Sequence, residues 1–250
     1  MKKILGLALA SIIVGTSCKK AFEQPADFSS FAVIHASPVA TTAPTDTLHV
    51  FVGGARYTNA AGATYLNTTT YLPILSGTHE INIRRKNVAT SDLYVNSFSA
   101  SMAKGEIFSY FVYDTTTSPT SQARVLKLKD NLALPATTNS HVRALHLARN
   151  APAVDIVLLR TSVTPNDSVT ISNRSFIGAA PNESALAAFT PVPRGVYTVK
   201  LKVAGTQTVA IAVVVDMSRG VDVTQGGIFT IYASGTAKGQ PLAVRSIKHY

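Results

Sequence analysis

The sequence predicts an all-β protein: two tandem immunoglobulin-like β-sandwich domains behind an N-terminal lipoprotein signal. Three observations predict it. Apolar and polar residues alternate with period two over many short stretches. Val, Ile, Thr, Tyr and Phe, the residues that fit a pleated sheet, fill those stretches. Four blocks of sequence then recur in the same order about one domain-length apart.

The N-terminus comes first. Residues 1–18 read MKKILGLALASIIVGTSC. Lys2 and Lys3 form a positive start, Ile4 to Val14 an apolar stretch, and Gly15-Thr16-Ser17 a run of small residues before Cys18. That is the layout of a secretory signal. The apolar stretch is shorter than the roughly 20 residues a membrane span needs. The small residues before the single cysteine resemble a bacterial lipobox, although Gly15 stands where Leu or Val is usual. Cys18 is therefore the expected lipidation site, with 1–17 as signal peptide and 18–30 as a polar tether. The Ser-Cys-Lys-Lys start resembles lipoproteins of Bacteroidota. The resulting expectation is a cell-envelope protein, on either face of an outer membrane, whose membrane partner is reached through the lipid.

The repeat follows. Phe31 to Ala36 is echoed by Val142 to Leu147, and Leu48 to Val52 by Val154 to Leu158. Tyr71 to Ile83 matches Phe189 to Leu201, and Gly105 to Tyr110 matches Gly226 to Ile231. The offsets run from roughly 106 to 121 residues, which is domain size and too long for a solenoid unit. The expected modules are 31–130 and 141–250, joined by a polar linker over 131–140 that contains Pro135.

Within each copy the strands are legible. Tyr197, Val199, Leu201 and Val203 face a core, and Thr198, Lys200 and Lys202 face water. Leu126 and Leu128 alternate with Lys127 and Lys129 in the same way. The unbroken apolar run Val209 to Val215 reads as a central strand or one buried on both sides. Gly53-Gly54 and Gly226-Gly227 mark turns, and Asn182 to Ala188 one short helical turn. About seven strands per copy is the count of an immunoglobulin-like sandwich, here without its Cys–Trp–Cys core.

Composition narrows the function. Hydrophobic residues make up 46% and charged residues 14%, which favours a buried core over disorder. The net charge of +10 falls to about +8 once Lys2 and Lys3 leave with the signal. The longest basic run is only Arg84-Arg85-Lys86, so no nucleic-acid partner is expected. One cysteine allows neither an internal disulfide nor a cysteine metal site.

The six histidines show no metal-binding spacing, and no metal or other cofactor is expected. His35 and His146 occupy matching positions and read as strand histidines satisfied by backbone. No Gly-x-Ser-x-Gly elbow or phosphate-cradling glycine loop occurs. Glu80, Asp92, Glu106 and Asp114 have no paired counterparts in the second copy, so nothing supports a hydrolase acting on glycans. No catalytic residue is assigned and the chain is expected not to be an enzyme.

Binding is the stronger class. Tyr57 and Tyr65, beside a Thr/Asn/Gly-rich stretch over 58–70, are the candidate ligand-contacting aromatics for a glycan or an envelope protein. Tyr71, in contrast, aligns with Phe189 and reads as core. Asp46-Thr47-Leu48, Asp114-Thr115-Thr116 and Asp167-Ser168-Val169 resemble the O-glycosylation acceptor of exported Bacteroidota proteins. Thr47, Thr115 and Ser168 are thus weak candidates for that modification.

Three segments carry a family resemblance. His35 to Pro38, Asn150 to Asp155 and the Pro-x-x-x-Gly-x-Tyr-x-Val block from Pro191 to Val199 resemble DUF4397, a family of unknown function. The resemblance covers 31–130 and 141–250. It implies tandem immunoglobulin-like modules in secreted proteins and lipoproteins and supplies no catalytic residues. The first copy departs from it in an insertion at Thr41 to Thr45, and in His49 where the second copy has Asp155. The reading is a non-enzymatic envelope lipoprotein that presents two modules for binding, with a structural spacer or complex subunit as the alternative.

Overall fold

The computed structural model describes residues 27–38, 47–58, 62–87, 90–114, 123–160, 166–220, 224–237 and 239–249, the side chains of 86–95 excepted. Residues 1–26, which hold the expected signal, Cys18 and most of the tether, lie outside that description, as does Thr115.

The described residues are all-β apart from one five-residue helix. Its N-terminal half carries β1 (Phe28–His35), β2 (Thr47–Val52), β3 (Ala55–Arg56), β4 (Ala63–Thr64), β5 (Leu72–Leu75), β6 (Gly77–Asn87), β7 (Thr90–Met102), β8 (Ile107–Tyr113) and β9 (Arg124–Lys129). These form an outer sheet in the order β3-β2-β6-β7, with β4 paired to β2, and an inner sheet β5-β1-β8-β9.

The C-terminal half carries β10 (Asn139–His146), β11 (Val154–Arg160), β12 (Asp167–Arg174), α1 (Glu183–Ala187), β13 (Thr190–Pro193), β14 (Val196–Val203), β15 (Val209–Asp216), β16 (Ile228–Ser234) and β17 (Ala243–Lys248). Its inner sheet is β13-β10-β16-β17 and its outer sheet β12-β11-β14-β15.

Apart from β4, which has no counterpart, the two strand orders correspond one to one. β1 runs parallel to β8 with Phe31 opposite Phe108, and β10 runs parallel to β16 with Val142 opposite Phe229. Those residues are the ones the sequence repeat aligns. A glycine permits the entry to this pairing in the second half. A Cβ on Gly226 would sit 1.9 Å from the Asn139 carbonyl oxygen.

Side-chain alternation explains the layers. Phe31 and Val33 of β1 point to a core with Leu48, Val50, Ile81, Ile83 and Tyr110, between the outer and inner sheets. The equivalent core in the second half holds Val142, Ile156, Leu158, Tyr197, Val199, Leu201 and Ile231. The opposite face of β1, Ala32 and Ile34, meets Phe111, Leu126, Leu128, Leu145, Leu147 and Tyr232 in a third core. That core lies between the two inner sheets, so the sheets stack in four layers. This is why β1, β8, β10 and β16 are buried along nearly their whole length. Each large apolar side chain in the third core contributes about 1.5–3 kcal/mol by leaving water.

Three expectations change. β15 is neither central nor covered on both sides. It is the edge strand of its sheet, with Val214 67% and Val209 45% exposed. β1 begins at Phe28, with Ser29 and Ser30 already buried, inside the stretch read as tether. The stretch read as linker is largely exposed but pinned: Asp130 just before it and Pro135 within it are buried, and β10 begins at Asn139.

Candidate functional site

Two features draw chemically active side chains together. One is a polar circuit buried where the inner sheets meet. Parallel pairing and period-two alternation put Ser109 on the β8 face that looks at the second half, and Arg143 and Thr230 on the facing strands. Asp130 caps the end of β9. Arg143 Nη1 donates to Asp130 Oδ1 at 2.7 Å, both side chains being almost fully buried. Ser109 Oγ donates to Asp130 Oδ2 at 2.6 Å, and the Tyr71 hydroxyl donates to the same oxygen at 2.8 Å. His249 Nδ1 lies 2.6 Å from the Tyr71 hydroxyl, and its Nε2 lies 2.7 Å from Thr230 Oγ1. Thr230 Oγ1 accepts from Arg143 Nε at 2.9 Å.

One proton arrangement satisfies this ring. Tyr71 gives its proton to Asp130, so His249 carries its proton on Nδ1 and donates to the Tyr71 oxygen. Thr230 then donates to Nε2. The imidazole must be neutral for this. Burial lowers its pKa to about 4, with nearby Asp130 opposing and Arg143 reinforcing the shift. Burial, followed by the Asp130 charge, raises the pKa of Tyr71. The guanidinium of Arg143 lies over the Phe189 ring at 4.6 Å.

Further bonds cross the same joint. Asp114 accepts from Arg124 Nε at 3.0 Å and from Arg149 Nη1 at 2.9 Å. Ser234 Oγ donates to the Ala36 carbonyl at 2.6 Å, and the Tyr113 hydroxyl to that of Gly178 at 2.9 Å. α1 is started by Asn182, whose side chain accepts from Ala185 N. It places Glu183 to accept from Lys127 N at 3.1 Å.

The second feature is a pair of clefts sharing one ridge, Thr68-Thr69-Thr70. On one side, a cleft of about 390 Å³ is lined by Tyr57, Thr58, Gly62 and Leu72. On the other, a cleft of about 360 Å³ runs to Tyr71, Ser109, Lys248 and His249 at the joint. Thr69 Oγ1 accepts from Val33 N at 3.0 Å and pins the ridge to β1, while Thr70 is exposed. Tyr57 is 37% exposed, with its ring stacked 6.0 Å from Phe31 and its hydroxyl given to the Pro73 carbonyl. Gly62 closes the wall at φ +58°, where a Cβ would strike Leu48 and His49. The C-terminal half has a cleft of about 290 Å³ under the segment joining β12 to β13, against Ala144 and His146.

Of the candidate aromatics, Tyr57 lines the ridge cleft. Tyr65 turns to the joint, edge-on to His35 at 5.7 Å and 3.5 Å from Ser234 Oγ. Thr47 is half-buried with its hydroxyl 3.2 Å from His49 Nε2, while Ser168 is exposed on β12. His146 is satisfied as expected of a strand histidine, by the Pro152 carbonyl at 3.0 Å and Ala148 N at 3.3 Å. His35 is not. It is fully buried and, among the described residues, neither ring nitrogen has a hydrogen-bond partner; burial, with Arg85 adding to it, lowers its pKa to about 3. Among the described residues no three His, Cys, Asp or Glu side chains gather as a metal-holding group. Sequence reasoning missed the circuit because Tyr71 and His249 lie far from Asp130 and Arg143 in the chain, and no local period links Asp130 at a strand end to Arg143 inside another strand. A buried-strand pattern interrupted by Arg143 was the one available signal.

The described residues define an all-β protein built of stacked sheets. The sequence matches the model of DUF4397, a domain of unknown function, over residues 29–157, and the chain belongs to that family. The match runs through the joint and ends within β11. No curated protein matches the chain. Among solved structures it is similar to a leucine-rich repeat protein from Bacteroides thetaiotaomicron VPI-5482, at 12% identity and a TM-score of 0.21. That alignment covers 89% of this chain and 24% of the other, so this chain spans about a quarter of that protein. A second likeness, to a proposed cell adhesion protein from Parabacteroides distasonis ATCC 8503, has 8% identity and a TM-score of 0.23. It covers 89% of this chain and 98% of the other.

Proposed function

We propose that this protein is a non-enzymatic envelope lipoprotein, anchored through Cys18, whose ridge cleft binds a neutral, hydroxyl-rich ligand such as a glycan chain. On this reading the halves are two immunoglobulin-like modules, about 31–130 and 141–250, packed as one head. The carrying observation is the Thr68–Thr70 ridge with Tyr57 at its side. An aromatic face offers stacking to a sugar ring, and the threonine hydroxyls and nearby backbone offer hydrogen bonds without a charge. Ser168, being exposed, is a better O-glycosylation acceptor than Thr47.

The test is binding to glycan arrays and isolated cell-wall polymers, read against a basic protein of matched charge. Tyr57→Ala is expected to lose binding by roughly tenfold or more, the scale of one stacking contact. Equal binding by the variant, or none above the control, defeats the glycan reading. The anchor is tested separately. Cys18→Ala is expected to leave the membrane fraction, and retention there would refute lipidation.

A structural spacer is the second reading. The third core and the buried circuit favour it, because they make the halves a stiff unit.

A further inference from the structure

Every sheet ends in an edge strand, and edge strands are guarded in recognisable ways. β9 carries Arg124, Lys127 and Lys129, and β17 carries Arg245 and Lys248. β5 contains Pro73, and β13 contains Pro191 and Pro193. β12 ends in Asp167 and Arg174, with Ser168, Thr170 and Ser172 between them. The described side chains of β7 include Asn96, Ser97, Ser99 and Ser101. β15 is different. Its sequence is VAIAVVVD, with no Lys, Arg or Pro, and its one charge, Asp216, lies at the end. A register shift beside Val209 leaves Ile211 to Asp216 as a regular run. The strand pairs with β14 on one side only, and among the described residues no backbone hydrogen bond reaches its other edge.

We propose that β15 is a dimerisation edge, pairing antiparallel with β15 of a second copy about a two-fold axis near Ala212 and Val213. The pairing joins two four-stranded outer sheets into one of eight strands. Charge selects this occupant. Lys202 Nζ is held 2.8 Å from Gln207 Oε1, which puts an ammonium beside the N-terminal end of β15. Antiparallel pairing brings the partner's C-terminal end, with its Asp216, to that same place, and symmetry repeats the contact. The two Asp216 side chains stay at opposite ends of the ladder. Between them, small and β-branched residues face their like with no charge opposed. A parallel arrangement would set Asp216 against Asp216 and lose the contact to Lys202.

The test uses the full chain made unlipidated by Cys18→Ser. Light scattering and sedimentation over the micromolar range are expected to show a monomer–dimer equilibrium. Ala212→Lys puts two exposed ammonium groups opposite or diagonal to each other and adds them to the row of Lys200. It is expected to raise the dimer dissociation constant by roughly tenfold or more, with circular dichroism and melting temperature preserved. Thr170→Lys, on the other edge of the same sheet, is expected to leave the dimer intact. Ala212→Cys in the same background is expected to join two copies through a short thiol crosslinker. A chain that stays monomeric throughout overturns the proposal, as does a dimer indifferent to Ala212→Lys. So does Ala212→Cys capturing only a different envelope protein, which would make β15 an acceptor for a foreign strand.

Discussion

His35 and His146 stand at equivalent places in the repeat, yet substitution should act on them with opposite sign. His146 is bonded to the Pro152 carbonyl and Ala148 N, and removing the ring leaves both backbone groups behind. His35 has two buried nitrogens and, among the described residues, no hydrogen-bond partner for either. An unsatisfied buried polar group costs about 1–3 kcal/mol. His35→Leu is therefore expected to hold or raise stability by about 1 kcal/mol, and His146→Leu to lower it by at least as much. Urea denaturation at neutral pH measures both.

The same burial sets an acid limit. The folded-state pKa values of His35, about 3, and His249, about 4, lie below the unfolded value near 6.5. Below pH 6.5 the unfolded chain therefore binds protons that the folded chain refuses. Stability from these groups is complete above that pH and is lost as pH falls toward the folded values. The slope is about 1.4 kcal/mol per pH unit for each histidine. His35→Leu should remove its share, and an unchanged slope between pH 6.5 and 4.5 would contradict the assignment.

Strand existence was legible in the sequence, while strand position was less so. The alternations at Tyr197 to Val203 and Leu126 to Lys129 both became strands with the predicted residues buried, Val203 excepted at half-buried. What alternation leaves open is which core a face meets. Leu126 and Leu128 face a core as their alternation implied, and that core is the one shared with the other half of the chain. The run from Val209 to Val215 failed for a related reason. Continuous apolarity usually means neighbours on both sides, and β15 has a neighbour on one. The cleft was half legible. Tyr57 and the threonine stretch lie together as their proximity in sequence implied, but Tyr65 turns toward Ser234, far along the chain. Residue type and local period report a strand and its faces, whereas contacts such as Asp130 with Arg143 depend on how whole sheets stack.

At the scale of the molecule, the stacking decides how the protein unfolds. Two modules on a free linker would melt separately, each with the denaturant slope of about a hundred residues. Here a buried carboxylate stands just before the linker, and the inner sheets share an apolar core and the buried Asp130–Arg143 pair. Losing either half would expose Ile34, Phe111, Leu126 and Leu128, or Leu145, Leu147 and Tyr232, and leave one ion of the pair without its partner. Breaking such a pair costs about 3–5 kcal/mol. The halves are therefore expected to unfold in one transition, with coincident fluorescence and circular dichroism and a slope near twice that of a single module. Asp130→Asn combined with Arg143→Gln should destabilise less than Asp130→Asn alone, because no charge is then stranded and the amide oxygen still accepts from Ser109 and Tyr71. Two resolved transitions in the unsubstituted chain would show that the third core does not couple the halves, and the rigid-head reading would fall with it.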